Sequence, residues 1–284
     1  MAEIIDGKQI SMDLKDDVKK EVAALKEKGI EPALAVILVG QDPASTVYVN
    51  NKKKACEYTG IKSLSYELPE DTSEEELLKL IDELNEREDC DGILVQLPVP
   101  KHIDEDKIIK RISPDKDVDG FHPESVGRLS LGEKGFKSCT PAGVIELLKR
   151  SNTEIDGKHA VVVGRSNIVG KPMAMLLLRE NATVTVCHSH TPDLRSITKQ
   201  ADILVVAIGK PEFIDGSYIK EGATVIDVGI HRKDGTKKLC GDVEFESASK
   251  VAGKITPVPG GVGPMTIAEL MNNCKEAAEM HHCN

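Results

Sequence analysis

Three short stretches carry residues whose types and spacing suit chemistry. The first is VVVGRSNIVGKPM, residues 161–173: a valine run that ends in Gly164 and resumes as a helix near Gly170. Backbone N–H groups at such a strand–turn–helix, with the helix dipole behind them, attract phosphate. The loop departs from the usual G-x-G-x-x-G: Ser166 and Val169 replace its second and third glycines, and Arg165 follows Gly164. A dinucleotide site of the NAD type places an acid at the end of the next strand, about 20 residues on, to bind the ribose 2′-hydroxyl. Here that strand ends Cys187-His188-Ser189-His190, with no carboxylate to repel a 2′-phosphate. Arg165, Ser189 and the histidines can bind one, so the pattern points to NADP rather than NAD.

The second stretch, STVYVNNKKKACEYTG, puts Tyr48 and Lys52 four apart, on one helix face. Lys53 and Lys54 beside Lys52 disfavour its charge, and a neutral lysine can act as a general base. The bland alternative is a solvated lysine run. The third is Gln96, which follows the buried-looking Ile93-Leu94-Val95 at a strand end, where open α/β sheets line their ligand crevice. A buried Gln must find hydrogen bonds, and that need is met equally by a functional or a structural role. DKDVDG (115–120) groups three carboxylates; it reads as a hydrophilic turn and demands no metal.

The elements that must position these residues alternate. A helix is expected over 8–28, a strand at 33–40, a helix at 44–58, a strand at 62–68, a helix opened by a Ser73/Glu76 capping box, a strand at 92–98 and a short helix near 104–112. Residues 120–140 read as irregular. Thr140-Pro141 offers an N-cap for a helix at 141–150. Beyond it come strand 159–163, helix 170–180, strand 182–187, helix 192–200, strands 202–209 and 223–229, a hairpin near Asp234-Gly235, the loop TPVPGGVGP (256–264) and a final amphipathic helix. Strand–helix alternation implies parallel sheets buried on both faces. The domains are placed at 1–140 and 141–284, with the final helix, about 265–284, packing back on the first.

Bulk properties narrow the class. The chain has 284 residues, no Trp, 3% aromatics and a net charge of −10, which argues against a nucleic-acid surface. Seven scattered cysteines, never C-x-x-C, suit reduced thiols in a cytoplasmic protein. No apolar run approaches the roughly 20 residues of a membrane helix, and MAEIIDGKQI lacks the features of a signal peptide. The His281-His282-Cys283 tail reads as a frayed terminus.

Together, STVYVNNKKKA, VQLPVP, DKDVDGFH, CTPAGV, VVVGRSNIVGKPM and TPVPGGVGPMT resemble the signatures of the bifunctional methylenetetrahydrofolate dehydrogenase/cyclohydrolase family, in that family's order and over nearly the whole chain. The resemblance implies an N-terminal α/β catalytic domain, a C-terminal Rossmann-type NADP-binding domain and a cleft between them. It implies Lys52 as the catalytic lysine, Tyr48 as the tyrosine that positions folate, Gln96 as the glutamine that tunes the lysine and Asp119 as the aspartate that grips the pterin. Gly164, Arg165, Ser166, Ser189 and Ile230 match the cofactor contacts, and Pro259, Gly260 and Gly261 a loop near the ligands. It further implies tetrahydrofolate one-carbon substrates and a homodimer formed through the cofactor domain; the charge, the lack of an apolar span and the lack of a ligand pattern leave no nucleic-acid partner, no membrane partner and no metal expected. The rival expectations are a dehydrogenase without cyclohydrolase activity, another NADP enzyme acting on a small acid, and a nucleotide sensor with no chemistry.

Overall fold

Runs of β-branched residues form the strands of this chain and amphipathic runs the helices between them. A computed structural model describes residues 1–233 and 238–283, apart from the side chains at 43 and 44; the turn expected at Asp234-Gly235 lies outside the described residues. In chain order the first elements are β1 (Glu3–Ile4), α1 (Gly7–Glu27), β2 (Ala33–Val39), α2 (Pro43–Thr59), β3 (Lys62–Leu68), α3 (Glu74–Glu86), β4 (Gly92–Val95), α4 (Glu105–Arg111) and α5 (Pro123–Leu131). There follow α6 (Cys139–Arg150), β5 (His159–Val163), α7 (Gly170–Arg179), β6 (Thr183–Cys187), α8 (Leu194–Thr198), β7 (Ile203–Val206), a 3-10 turn (Gly216–Tyr218) and β8 (Thr224–Asp227). The last are β9 (His231–Arg232), β10 (Leu239–Cys240), α9 (Phe245–Val251), β11 (Lys254–Ile255) and α10 (Val262–His282).

The chain divides into two units. One comprises Met12–Cys139 and the chain from Ile267 onward; the other comprises Met1–Ser11 and Thr140–Thr266. In the first, β3-β2-β4 form a parallel sheet. Every residue of β2 and β4 is buried, as a sheet covered on both faces requires. Ile37, Leu77, Ile81, Ile93 and Ile108 fill its core at full burial. The Ser73/Glu76 capping box forms and fixes the start of α3, a device worth about 1 kcal/mol. Residues of α10 belong to this unit as well: Lys275 pairs with Glu21 at 2.6 Å, and His281 Nδ1 and His282 Nε2 lie 3.2 and 3.0 Å from Oδ1 of the buried Asp91. The tail therefore does not fray. Helix α10 continues to His282, with both imidazoles against Oδ1 of Asp91, whose Oδ2 accepts from the Ala33 N–H at 2.9 Å.

The second unit holds a six-stranded sheet in the order β1-β11-β8-β7-β5-β6, all neighbours parallel. The first residues of the chain were expected in the first domain. They belong here because β1 adds to this sheet, Glu3 pairing with Lys254 and Ile4 with Ile255. Short β11 and the helices α5 and α9 also escaped the sequence pattern, being too brief to show a period. Helix α6 begins at Cys139 rather than at Pro141. Thr140 is not its cap: the hydroxyl meets that of Thr266 at 2.9 Å. Among the described residues no helix is long and apolar enough to cross a membrane.

Candidate functional site

Two sets of residues emerge, one on each unit. In the first, Lys52 sits one turn after Tyr48 on α2, whose start is fixed by the Asp42 carboxylate accepting from the Ser45 N–H at 2.8 Å. Tyr48 is 44% exposed whereas Lys52 is only 9% exposed. Lys52 Nζ donates to Gln96 Oε1 at 2.9 Å. Gln96 is held in turn: its backbone N–H donates to Ile37 O at 2.8 Å, extending the β2–β4 ladder, and its Nε2 donates to Leu97 O at 2.6 Å. That second bond orients the amide so that its oxygen, the acceptor, faces the amine. Gln96 therefore follows β4 directly, and the expected strand 92–98 stops at Val95.

Asp119 reaches the same place by a different route. Residues 116–118 run beside β4: Ile93 N–H donates to Lys116 O at 2.8 Å, and Ile93 bridges to Asp117. Gly92 allows this approach, since a Cβ there would stand 2.6 Å from Val118 Cγ1. Asn273 of α10 clamps the far side, donating to Val118 O at 2.8 Å and Lys137 O at 2.9 Å. Asp119 then faces Lys52 electrostatically and accepts from the Cys139 thiol. It keeps an accessible edge but lies deep in the unit.

Burial decides the charge at this site. Desolvation lowers the Lys52 pKa, and the negative Asp119 opposes it. The sequence argument located the cause in Lys53 and Lys54. The structure corrects it: Lys53 pairs with Glu67 at 2.7 Å, and loss of water dominates at Lys52. Desolvation likewise raises the Asp119 pKa, while Lys52 and the Cys139 bond lower it. Desolvation thus pushes each partner towards its neutral form, and the attraction between the two opposes it.

Asp117 was missed. The stretch 115–120 read as a hydrophilic turn, but Asp117 is 2% exposed, and burial raises its pKa to about 7. Its carboxylate accepts from the N–H groups of Phe121 (3.2 Å) and His122 (2.8 Å) and from Ser125 Oγ (2.8 Å), which anchors the start of α5. The signal available was Ser125 and Pro123 after a run of acids, a helix start with an acceptor upstream.

On the second unit, Gly164 leaves β5 with φ +131°, a conformation reserved for glycine; a Cβ there would stand 2.2 Å from Ala207 O. Its N–H donates to Cys187 O at 2.8 Å, tying the loop to the end of β6, two residues before the exposed Ser189. Arg165 and Ser166 are exposed, and Ser166 Oγ accepts from the N–H groups of Val169 (3.2 Å) and Gly170 (3.3 Å) at the start of α7. Gly164, Arg165, Ser166 and Ser189 thus share the carboxyl edge of β5 and β6. Ile230, 43% exposed, follows β8, and Pro259, Gly260 and Gly261 follow β11. A Cβ on Gly263 would lie 3.3 Å from Ile230 Cδ1, so this second group is contiguous. The cradle fits a dinucleotide: it offers bare backbone at the tight turn, an exposed cation beside it and no carboxylate on the β6 end where a 2′-phosphate would lie. Among the described residues no cluster of three or more His, Cys, Asp or Glu side chains is arranged to hold a metal ion.

Comparison with known proteins agrees with this geometry. A family model described as tetrahydrofolate dehydrogenase/cyclohydrolase, catalytic domain, matches residues 5–119, and its companion, the NAD(P)-binding domain, matches residues 138–282. The bifunctional protein FolD of Agathobacter rectalis is 69% identical over 277 residues, covering 98% of this chain and 99% of its own. Among solved structures, the bifunctional FolD of Campylobacter jejuni superposes with a TM-score of 0.96 at 52% identity, covering 99% of each chain. The Trypanosoma brucei methylenetetrahydrofolate dehydrogenase-cyclohydrolase, solved with NADP cofactor and an inhibitor, superposes with a TM-score of 0.92 at 41% identity, covering 98% of each chain.

Proposed function

The chain belongs to the tetrahydrofolate dehydrogenase/cyclohydrolase family, and we infer that it catalyses both reactions of that name. It oxidises 5,10-methylenetetrahydrofolate to the 5,10-methenyl cation with NADP, then adds water to give 10-formyltetrahydrofolate. The observation that carries the second activity is the buried Lys52 amine held 2.9 Å from Gln96 Oε1 and facing Asp119.

NADP, when bound, supplies the hydride acceptor; Gly164, Arg165, Ser166, Ser189 and Ile230 would hold it. Hydride transfer asks the protein for orientation more than for acid–base help. Asp119 grips the pterin and Tyr48 lies along the folate, with Pro259, Gly260 and Gly261 offering backbone close to the ligands. Water addition is different, because protons must move. Lys52, depressed from the usual lysine range by burial, takes a proton from the water as its oxygen bonds to the methenyl carbon. The ring C–N bond then breaks, the freed nitrogen takes one proton and the other passes to solvent. Gln96 keeps the amine aligned throughout.

The partners follow the same argument. The substrates are tetrahydrofolate one-carbon derivatives. A homodimer through the cofactor domain is supported by β6, which among the described residues lies at the edge of its sheet and exposes Val186 at 39%, and by Leu178 of α7, 56% exposed. A cytoplasmic location is supported by six buried thiols left free.

Separate recording of NADPH formation and of methenyl absorbance, with methylenetetrahydrofolate and then NADP or NAD, tests the assignment. NADPH formation followed by methenyl decay is expected. NADPH formation with a persistent methenyl signal would reduce the chain to a dehydrogenase alone, and binding of NADP without turnover would leave only a sensor.

A further inference from the structure

Two buried carboxylates on the second unit take no part in the chemistry above. Asp242 is fully buried and accepts four hydrogen bonds: Ile208 N–H (2.7 Å) and Gly209 N–H (3.0 Å) at Oδ2, and Lys210 N–H (2.8 Å) and His231 Nε2 (2.8 Å) at Oδ1. Asp227, the last residue of β8, accepts from Gly229 N–H (3.0 Å) and Asp242 N–H (2.9 Å) at Oδ1 and from Val243 N–H (2.9 Å) at Oδ2. The two side chains therefore link the backbone after β7, the backbone after β8 and the segment 241–243. The fit leaves no slack: a Cβ on Gly241 would stand 1.8 Å from Asp227 Oδ2, and one on Gly229 would stand 2.5 Å from Asp242 Oδ1.

Three consecutive backbone donors aimed at one point make an anion-binding nest. Here the nest at 208–210 is filled by a side chain of the same molecule, which fixes that loop whether or not a ligand is present. Its location gives the device a purpose. Ala207, next to Ile208, is the residue whose carbonyl closes against Gly164, and Ile230 is strung between Gly229 and His231, both of them bonded to the pair. In the strand order β8-β7-β5-β6, a diphosphate at the loop after β5 would place the 2′-phosphate end at β6. The rest of a dinucleotide laid along the carboxyl edge must then cross the ends of β7 and β8.

We propose that Asp242, braced by Asp227, is a positioning residue for the cofactor: it presets the backbone at 208–210 and 229–231, and with it Ile230, in the form that receives the nicotinamide half of NADP. The proposal rests on the cofactor assignment above. It predicts that losing the brace weakens NADP binding without touching the residues that add water, all of which lie on the other unit.

The test uses the full chain with Asp242→Asn and His231→Ala. Whichever way the asparagine amide turns, its NH2 opposes a backbone N–H, either Lys210 or the Ile208 and Gly209 pair. The Kd for NADPH, read by its fluorescence, should rise about tenfold or more for Asp242→Asn and about threefold for His231→Ala. The methenyl hydrolysis rate should stay within about twofold and the KM for NADP should rise more than kcat falls. An unchanged Kd in either folded variant overturns the proposal, and so does a parallel fall of both activities with unchanged Kd. Should Asp242→Asn fail to fold, the partly exposed His231 decides alone. Failure of the unmodified chain to bind NADPH at all would instead refute the cofactor assignment.

Discussion

The two sites obtain their properties in opposite ways. On the first unit the groups proposed to do the chemistry are side chains taken out of water: Lys52 at 9% exposed, with Asp117 at 2% in the segment that carries Asp119. On the second unit the surface proposed for the cofactor is backbone and exposed side chains, with Gly164 at φ +131° and Arg165, Ser166 and Ser189 open to solvent, while the buried acids Asp227 and Asp242 are proposed as braces. Desolvation favours proton transfer, because it brings an amine and a carboxyl towards their neutral forms. Phosphate recognition needs the reverse: donors left free and a fixed dipole, with burial confined to whatever holds the loop rigid. A chain that must do both separates them between two units.

The contrast can be broken by substitution, the strongest first. Lys52→Met should lower water addition by roughly 10²–10⁴-fold, the range of general acid–base catalysis, while leaving NADPH binding unmoved; full methenyl hydrolysis by that variant would remove the lysine from the mechanism. Gly164→Ala should raise the Kd for NADPH about a hundredfold, because the methyl meets Ala207 O and the backbone must leave a glycine-only conformation. Titration calorimetry giving an unchanged Kd would show that the loop does not need bare backbone.

Asp117→Asn probes the cost of burying an acid. The folded-state pKa, about 7, lies above the ordinary 3.8, so the carboxyl favours the folded state when protonated. Stability should therefore fall as pH rises from about 4 through about 7 and level off beyond, and between about pH 5 and about pH 8 the substitution should remove about 3 kcal/mol of that decline. Asp227, raised by burial to about 6, has the same sign and keeps part of the slope in place. Denaturant unfolding at pH 5 and pH 8 checks this; identical slopes in both proteins would mean that Asp117 is not the titrating group. The smallest effect belongs to an exposed side chain. Arg165→Ala should reduce the preference for NADP over NAD by about tenfold, since a solvent-screened cation contributes little more. A preference that does not move would transfer the discrimination to Ser189 and the histidines.

Much of this was legible in the residues. The capping box at Ser73 and Glu76, the strands at 33–39 and 159–163 and the exit at Gly164 follow from local rules of period, cap and turn. The site was less legible where it depended on what lies next to it. Lys52 in a lysine run looks solvated, and only the placement of α2 against the end of β4 shows that it is buried and bonded to Gln96. Asp117 looks like turn chemistry until the 116–118 segment is seen to run beside β4. The N-terminal residues looked like the start of the first unit, yet two residues of β1 pair with a strand some 250 positions later. The tail histidines looked frayed because their partner, Asp91, is remote in sequence.

By itself the sequence determined the longer strands and helices, the alternation that makes both large sheets parallel, and the chemical types on offer: a lysine, an amide and an acid in one half, a glycine turn with a cation in the other. Those follow from forces acting over a few residues. The tertiary structure alone decided which ionisable groups lose their water and which acids become braces, because desolvation and hydrogen-bond closure depend on atoms that are distant along the chain and adjacent only once it has folded.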